Sequence, residues 1–548
     1  MLFLPNHFLL LLAFFLPFIS SAKSDDAPSV ILPSNGMKLV GTAEEGSGQM
    51  IYRGIPYAQP PVNGLRWQPP QDYVPTTDEM KAGRSAEEFG AICIQPVGAT
   101  PMEPIYAGEE DCLFLNVYIP TKSESSELPL PVAVWIHGGS YVSGSGSLYN
   151  GTALSSFRND IITVTINYRL NIFGFLGSKE LGATVEDGGT GNFGILDQRL
   201  ALKWVRENIA AFGGDSSHIN IFGESAGAGS VSSHLLMRGS APYFDAAVME
   251  SGGFSLWNSQ PLSIAQSTFD SVLDVSGCQN VECLLALGTK ELTKACADAT
   301  MAIFDVQAPI FTPSGWAPTV DGVELTDHPW NLLEKGEVNF NDVDVIIGTN
   351  RDEGAMFTSV TTNGTNEELI EYWTTGPWTD EEVAKMTEIY LVENEGTYPS
   401  VEAYSTAWWA SVRSLGDLSF TCPTQHAAPY VTAADSGTFV YHFEHVNSAN
   451  VAVSHGDEVP YVFHDYDRIL GADKEDKTTC DVVASMWLDF FVVGNPNGGG
   501  EGEVWSPGAE NVLLIEGADN MSTAAQGWKD SECEFWHDTM ARIVNENF

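Results

Sequence analysis

The chain has 548 residues and sets 25 Lys and Arg against 72 Asp and Glu, a formal charge of −47. That balance argues against nucleic acid and anionic membrane surfaces as partners, because both are held through clustered cations that neutralise phosphate. Apolar side chains make up 43% and aromatics 11%, so a large core can be buried despite the acidity, and a disordered polyanion is excluded.

At the N-terminus the apolar run Phe8–Ile19 is followed by Ser20, Ser21 and Ala22. This is the layout of a secretory signal peptide over residues 1–22, although no Lys or Arg precedes the run. The run is shorter than the ~20 apolar residues a membrane span needs, and no later stretch reaches that length. A secreted, extracellular protein without a stable membrane span is expected. Sequons at Asn150, Asn363 and Asn520 suit glycosylation on that route. Eight cysteines with no C-x-x-C pair favour disulfides over a metal site. Proximity suggests Cys93 with Cys112 and Cys278 with Cys283, yet eight cysteines permit 105 connectivities and spacing does not choose among them.

From Asp25 to Phe548 no internal repeat, low-complexity block or long linker interrupts the chain, so residues 23–548 read as one domain. Apolar, β-branched runs end in turns: Val132–Ile136 before His137-Gly138-Gly139, Ile161–Ile166 before Asn167-Tyr168-Arg169, Ile219–Phe222 before Gly223, and Val343–Ile347 before Gly348. Such runs are buried strands. Between them the stretch Asp197–Phe212 carries Leu200, Leu202, Trp204, Val205 and Ile209 at roughly helical spacing. Strands alternating with helices predict an α/β protein, its large, mostly parallel sheet covered on both faces. Ligands on such sheets bind at the carboxyl ends of the strands, where the glycine-rich turns fall.

The strongest chemical signal is Gly223-Glu224-Ser225-Ala226-Gly227, a G-x-S-x-G that follows a predicted strand and precedes a small-residue helix start. A serine there sits in a strained turn that lifts its hydroxyl clear of the sheet, and glycines on either side keep side chains from colliding with the adjoining strand and helix. The turn His137-Gly138-Gly139-Ser140-Tyr141 offers amide donors for an oxyanion. With the first residue of the helix, the donors are Gly139, Ser140 and Ala226. The order serine, acid, histidine then requires a downstream base. His455, in a loop beside Gly456, is a better candidate than His442 and His445, which lie in the strand-like run Phe439–His445. For the acid, Asp352 and Glu353 both follow the strand Val343–Ile347, and spacing leaves the two open.

Together Gly223–Gly229, His137-Gly138-Gly139, Glu109–Asn116, Asn350–Gly354 and His455-Gly456 resemble the type-B carboxylesterase/lipase family. That family includes cholinesterases, fungal lipases, bile-salt-type lipases and neuroligins. The resemblance runs from about Ile31 to Phe548 and takes in Tyr52–Ala58 and Asn167–Leu176. It implies the α/β-hydrolase fold and hydrolysis of carboxylic esters through a serine acyl intermediate, with no metal and no organic cofactor. The family's acid falls on Glu353 and its histidine on His455, completing a Ser225, His455, Glu353 triad. It also implies the disulfides Cys93–Cys112, Cys278–Cys283 and Cys422–Cys533, leaving Cys296 and Cys480 as a fourth bridge or as free thiols.

Two departures narrow the expected activity. Cholinesterases place a Trp inside the first disulfide loop to hold a quaternary ammonium, whereas the only aromatic between Cys93 and Cys112 is Tyr106. Fungal lipases build a long lid there, but here 18 residues separate the cysteines and include Pro96, Pro101 and Pro104, which disfavours a lid helix. The expected partner is therefore a small-molecule or lipid ester. A broad carboxylesterase is the first reading, and a lipase or sterol esterase acting on long acyl chains the second. A neuroligin-like adhesion protein is a remote third, because the serine, acid and histidine are all present. The aromatics Tyr372, Trp373, Trp378, Tyr404, Trp408 and Trp409 are read either as a pocket lining or as core. Glu224 is read either as a modulator of His455 or as a buried, hydrogen-bonded carboxylate.

Overall fold

The apolar runs assemble into one eleven-stranded sheet in a computed structural model that describes residues 27–548, apart from 45–46, 101–102, 122–128, 305–314, 339–342, 435–436 and 499–503. The expected signal peptide over residues 1–22 and Pro101 lie outside the described residues. In chain order the strands are β1 (Thr42–Ala43), β2 (Met50–Pro56), β3 (Phe114–Ile119), β4 (Leu130–Ile136), β5 (Ile162–Ile166), β6 (Gly214–Glu224), β7 (Ala246–Glu250), β8 (Asp344–Asn350), β9 (Thr438–Phe443), β10 (Val512–Gly517) and β11 (Asn520–Thr523). Their order across the sheet is β1-β2-β3-β5-β4-β6-β7-β8-β9-β10-β11. From β5 to β10 every neighbour is parallel, and the outer pairings are antiparallel.

Side chains of the central strands divide between two cores with the period of two that pleating imposes. Val132, Val134 and Ile136 join one core with Ile221, Met249 and Ile347. Ala133 and Trp135 join the other with Phe222, Val248 and Ile346. Both faces are dry, which is why these strands read as unbroken apolar runs rather than as alternating ones. Helices α1 (Phe193–Asn208) and α2 (Ala226–Leu236) cover the first face through Leu202, Val205, Val231 and Leu235. A longer helix, Lys474–Val493, covers the second through Val483, Trp487 and Phe491. The expected helix Asp197–Phe212 thus begins earlier, at Phe193, and tightens into a 3-10 turn over Ile209–Phe212. Leu200 is only partly buried, while Ala201, Leu202 and Val205 carry the packing.

Cys93–Cys112, Cys278–Cys283 and Cys422–Cys533 are bridged. Cys296 and Cys480 are free and buried; they belong to the cores on opposite faces of the sheet, so no fourth bridge joins them. Within the first disulfide loop, Gln95–Thr100 and Glu103–Ala107 pair as an antiparallel hairpin. Tyr106 packs against the core. Asn150, Asn363 and Asn520 are exposed. Among the described residues no helix is long and apolar enough to cross a membrane.

Candidate active site

Strand β6 ends at Glu224 and α2 begins at Ala226, so Ser225 alone makes the turn, with φ 56° and ψ −124°. This backbone is costly for a residue with a Cβ and persists only when its surroundings dictate it. They do so here. The Ser225 N–H donates to Glu250 O at the end of β7 (2.9 Å), and its carbonyl accepts from the Gly229 N–H (2.9 Å). The close approach of α2 to β4 also demands the flanking glycines: a Cβ on Gly227 would lie 2.0 Å from Ile136 O, and one on Gly223 would lie 2.6 Å from the same oxygen.

The turn after β4 presses on the elbow. A Cβ on Gly138 would meet Glu224 O at 2.7 Å and Ser225 Cβ at 2.9 Å. Gly139, Ser140 and Tyr141 follow with φ of 103°, 54° and 61°, three left-handed residues in succession. Gly139 O accepts from Val142 N (2.9 Å) and Ser143 N (3.0 Å), and Tyr168 Oη donates to His137 O (2.8 Å), which pins the turn. Ala226 lies in the first turn of α2, where N–H groups have no acceptor within the helix. The three expected oxyanion donors thus stand on two elements that touch at Ser225.

The two carboxylates left open by spacing have different surroundings. Asp352 is drawn to Arg413 Nε (2.6 Å), Arg351 Nε (3.0 Å) and Val453 N (2.9 Å). Glu353, fully buried, accepts from Asn350 N through Oε1 (2.7 Å) and meets His455 Nδ1 through Oε2 (2.6 Å). On the other edge of the imidazole, Nε2 is 3.1 Å from Glu224 Oε1, but the pair lacks hydrogen-bond geometry. Of the strand histidines, His442 approaches Thr349 Oγ1 and His445 approaches Asp476; both are buried packing residues.

Two further acids complete a buried cluster that the sequence did not single out. Glu250 accepts from Trp487 Nε1 (2.8 Å). Glu458 accepts from Ser251 Oγ (3.1 Å) and from the Asn350 side-chain amide. Burial dominates their protonation. It pushes Glu224 up to about 7, with the His455 cation opposing and Glu353 adding to the rise. Glu458 is raised to about 8 by burial and then by Glu353 and Glu224, and Glu250 stands well above the usual carboxylate range for the same kind of reason. For His455 burial acts downward, yet the charges of Glu224 and Glu353 outweigh it and lift the imidazole to about 9. Glu458 follows His455 by three positions, but nothing in Gly456-Asp457-Glu458 announces that the last of these is buried.

Ser225 opens on a cavity of about 560 Å³ whose walls include Tyr141, Trp257, Trp316, Phe357, Trp373, Trp378, Phe420 and Trp536. Among the described residues that line it there is no Asp, Glu, Lys, Arg or His. Phe357 and Phe420 also pack on the His455 ring, with centroids 5.1 and 4.6 Å away, so they join base and cavity. The aromatic group read from the sequence divides in two. Tyr372, Trp373 and Trp378 line the cavity, whereas Tyr404, Trp408 and Trp409 pack together in a separate cluster with Val412. Tyr106 is not among the lining residues.

The carboxylesterase family matches the chain over residues 31–536. The chain is 30% identical over 523 residues to pyrethroid hydrolase Ces2e of Rattus norvegicus, covering 91% of this chain and 87% of that protein. It is 32% identical over 474 residues to para-nitrobenzyl esterase of Bacillus subtilis, covering 84% and 89% respectively. Among solved structures, the carboxylesterase EST55 of Geobacillus stearothermophilus matches with a TM-score of 0.74 and 30% identity, over 93% of this chain and 99% of that one.

Proposed function

The chain belongs to the carboxylesterase family and is a carboxylic ester hydrolase, and from that premise we propose that it acts through Ser225, His455 and Glu353 on neutral esters with bulky apolar groups. Ser225 attacks the ester carbonyl while His455 takes its proton. Glu353 holds the imidazole by Nδ1 and stabilises the cation that forms. The amides of Gly139, Ser140 and Ala226 bind the developing oxyanion, where loss of one donor typically costs about 3 to 4 kcal/mol in the barrier. The alcohol leaves with the proton from His455, and a water activated by the same imidazole releases the acid.

The observation that carries this reading is the 2.6 Å contact between His455 and the buried Glu353, on an imidazole packed against Phe357 and Phe420, which line the cavity on which Ser225 opens. The absence of charge among the described lining residues, in a chain of net charge −47, supports selection for neutral groups, since an ionic substrate would meet no counter-charge there. The N-terminal run and the exposed sequons Asn150, Asn363 and Asn520 support secretion as a glycoprotein, with residues 23–548 as one catalytic domain.

Hydrolysis of p-nitrophenyl esters from acetate to palmitate, by wild type and Ser225→Ala, tests the proposal. Turnover by wild type alone is expected, with a preference for short and medium chains. Turnover by the variant would remove Ser225 from its role. A jump in rate on long chains above the micellar threshold would replace the esterase reading by the lipase one.

A further inference from the structure

A second group of ligand-bearing side chains lies where three other helices meet, α3 (Pro329–Lys335), α4 (Cys422–Ala433) and α5 (Asp530–Asn547). Glu334, His426 and His537, one from each, bring ligand atoms within 4.8 Å of one another. The disulfide Cys422–Cys533 staples α4 to α5. Each histidine stands four residues beyond its cysteine, about one helical turn. The staple therefore also sets the two imidazoles side by side, stacked with centroids 4.6 Å apart. Trp330 stacks on His426 at 4.0 Å, and its indole N–H is tied to Phe254 O (2.8 Å), which fixes the ring. The His426 side chain is only 7% exposed, and its Nε2, 3.5 Å from Glu334 Oε1, makes no hydrogen bond. A buried polar atom left in that state is destabilising until something pairs with it.

We propose that Glu334, His426 and His537 hold one divalent transition-metal ion, with zinc the best match. Two imidazoles and one carboxylate are a zinc donor set, with water as the fourth ligand, whereas Mg²⁺ and Ca²⁺ demand six or more oxygens. Donors around tetrahedral zinc stand about 3.3 Å apart. Binding therefore requires Glu334 and His537 to close to that spacing by rotamer changes, which unstack the two imidazoles, around a fixed His426. The ion ties three helices together beside the cavity, because Trp536, the neighbour of His537, lines that cavity.

The test is calorimetric titration of the full-length, chelator-treated protein with ZnCl₂, in excess MgCl₂ to occupy the surface carboxylates, for wild type, His537→Ala and Glu334→Gln. Wild type is expected to take up one equivalent with micromolar affinity or better, and each variant to bind at least about tenfold more weakly. Zinc should raise the Tm of wild type and not that of His537→Ala. Wild-type hydrolysis of p-nitrophenyl acetate by metal-free His537→Ala shows that this variant is folded. Absence of a one-equivalent site in wild type overturns the proposal, as does equal affinity in all three proteins.

Discussion

Glu224 Oε1 lies 3.1 Å from His455 Nε2, so the residue before the serine faces the imidazole edge opposite Glu353. A base flanked by carboxylates on both edges is biased toward its cation. This favours the charged state reached during proton transfer and depletes the neutral form needed to begin it.

The pH dependence follows from that pairing. His455 is lifted to about 9 and Glu224 to about 7, and the charge of each acts on the other. Only neutral imidazole accepts the serine proton, so kcat/KM should climb with pH through neutrality and level off on the alkaline side. In Glu224→Gln one attraction for the imidazolium is gone, and the acid limb should move to lower pH by roughly one unit or more. A pH–rate series on the two proteins decides this; superimposable limbs would mean that Glu224 does not act on His455.

Asp352 and Glu353 should fail in different ways. Glu353→Gln leaves the packing nearly unchanged but removes the charge at Nδ1, and kcat should fall by about 10³ to 10⁴ with little change in Tm. Asp352→Ala strands Arg413 and Arg351 and frees Val453 N. It should lower stability by about 3 kcal/mol while leaving the pH profile of the surviving activity in place. Urea unfolding and steady-state kinetics on both variants separate the two effects.

Gly227→Ala should be among the most damaging single-methyl additions in the chain. Its Cβ would stand 2.0 Å from Ile136 O, and backbone on both sides leaves only the separation of α2 from β4 as relief. A loss of about 3 kcal/mol or more and no esterase activity are expected, measured as Tm and turnover. A stable, active variant would show that the elbow tolerates that displacement.

The two aromatic groups should separate in a substrate profile. Trp378→Ala opens the cavity wall and should raise kcat/KM for longer acyl chains relative to acetate. Trp408→Ala, in the cluster with Trp409 and Val412, should lower Tm and leave the chain-length ratio alone. The p-nitrophenyl series used for Ser225→Ala reads out both.

Local sequence by itself determined much of the fold and part of the site. The strands around Val134, Ile221 and Ile346 were legible because a parallel sheet buried on both faces tolerates little but apolar, β-branched residues. The elbow at Ser225 was legible for a related reason, since a strand, one strained residue and a helix packed this closely leave room only for glycine at 223 and 227. Both constraints act over a few residues and so leave a pattern in the chain. What only the tertiary structure decided depends on groups far apart in sequence. The resemblance had already placed the acid at Glu353, but the physical reason is tertiary: Arg413, 61 positions later, takes up Asp352, and Glu353 meets the imidazole. Trp378 and Trp408 look alike in composition, yet one borders the cavity and the other a side cluster. Glu458 is brought to the base from the loop after β9, and Glu250 reaches Glu458 and Glu224 from the end of β7. Burial and charge at His455 are sums over everything packed around it, and no short stretch of the chain contains that sum.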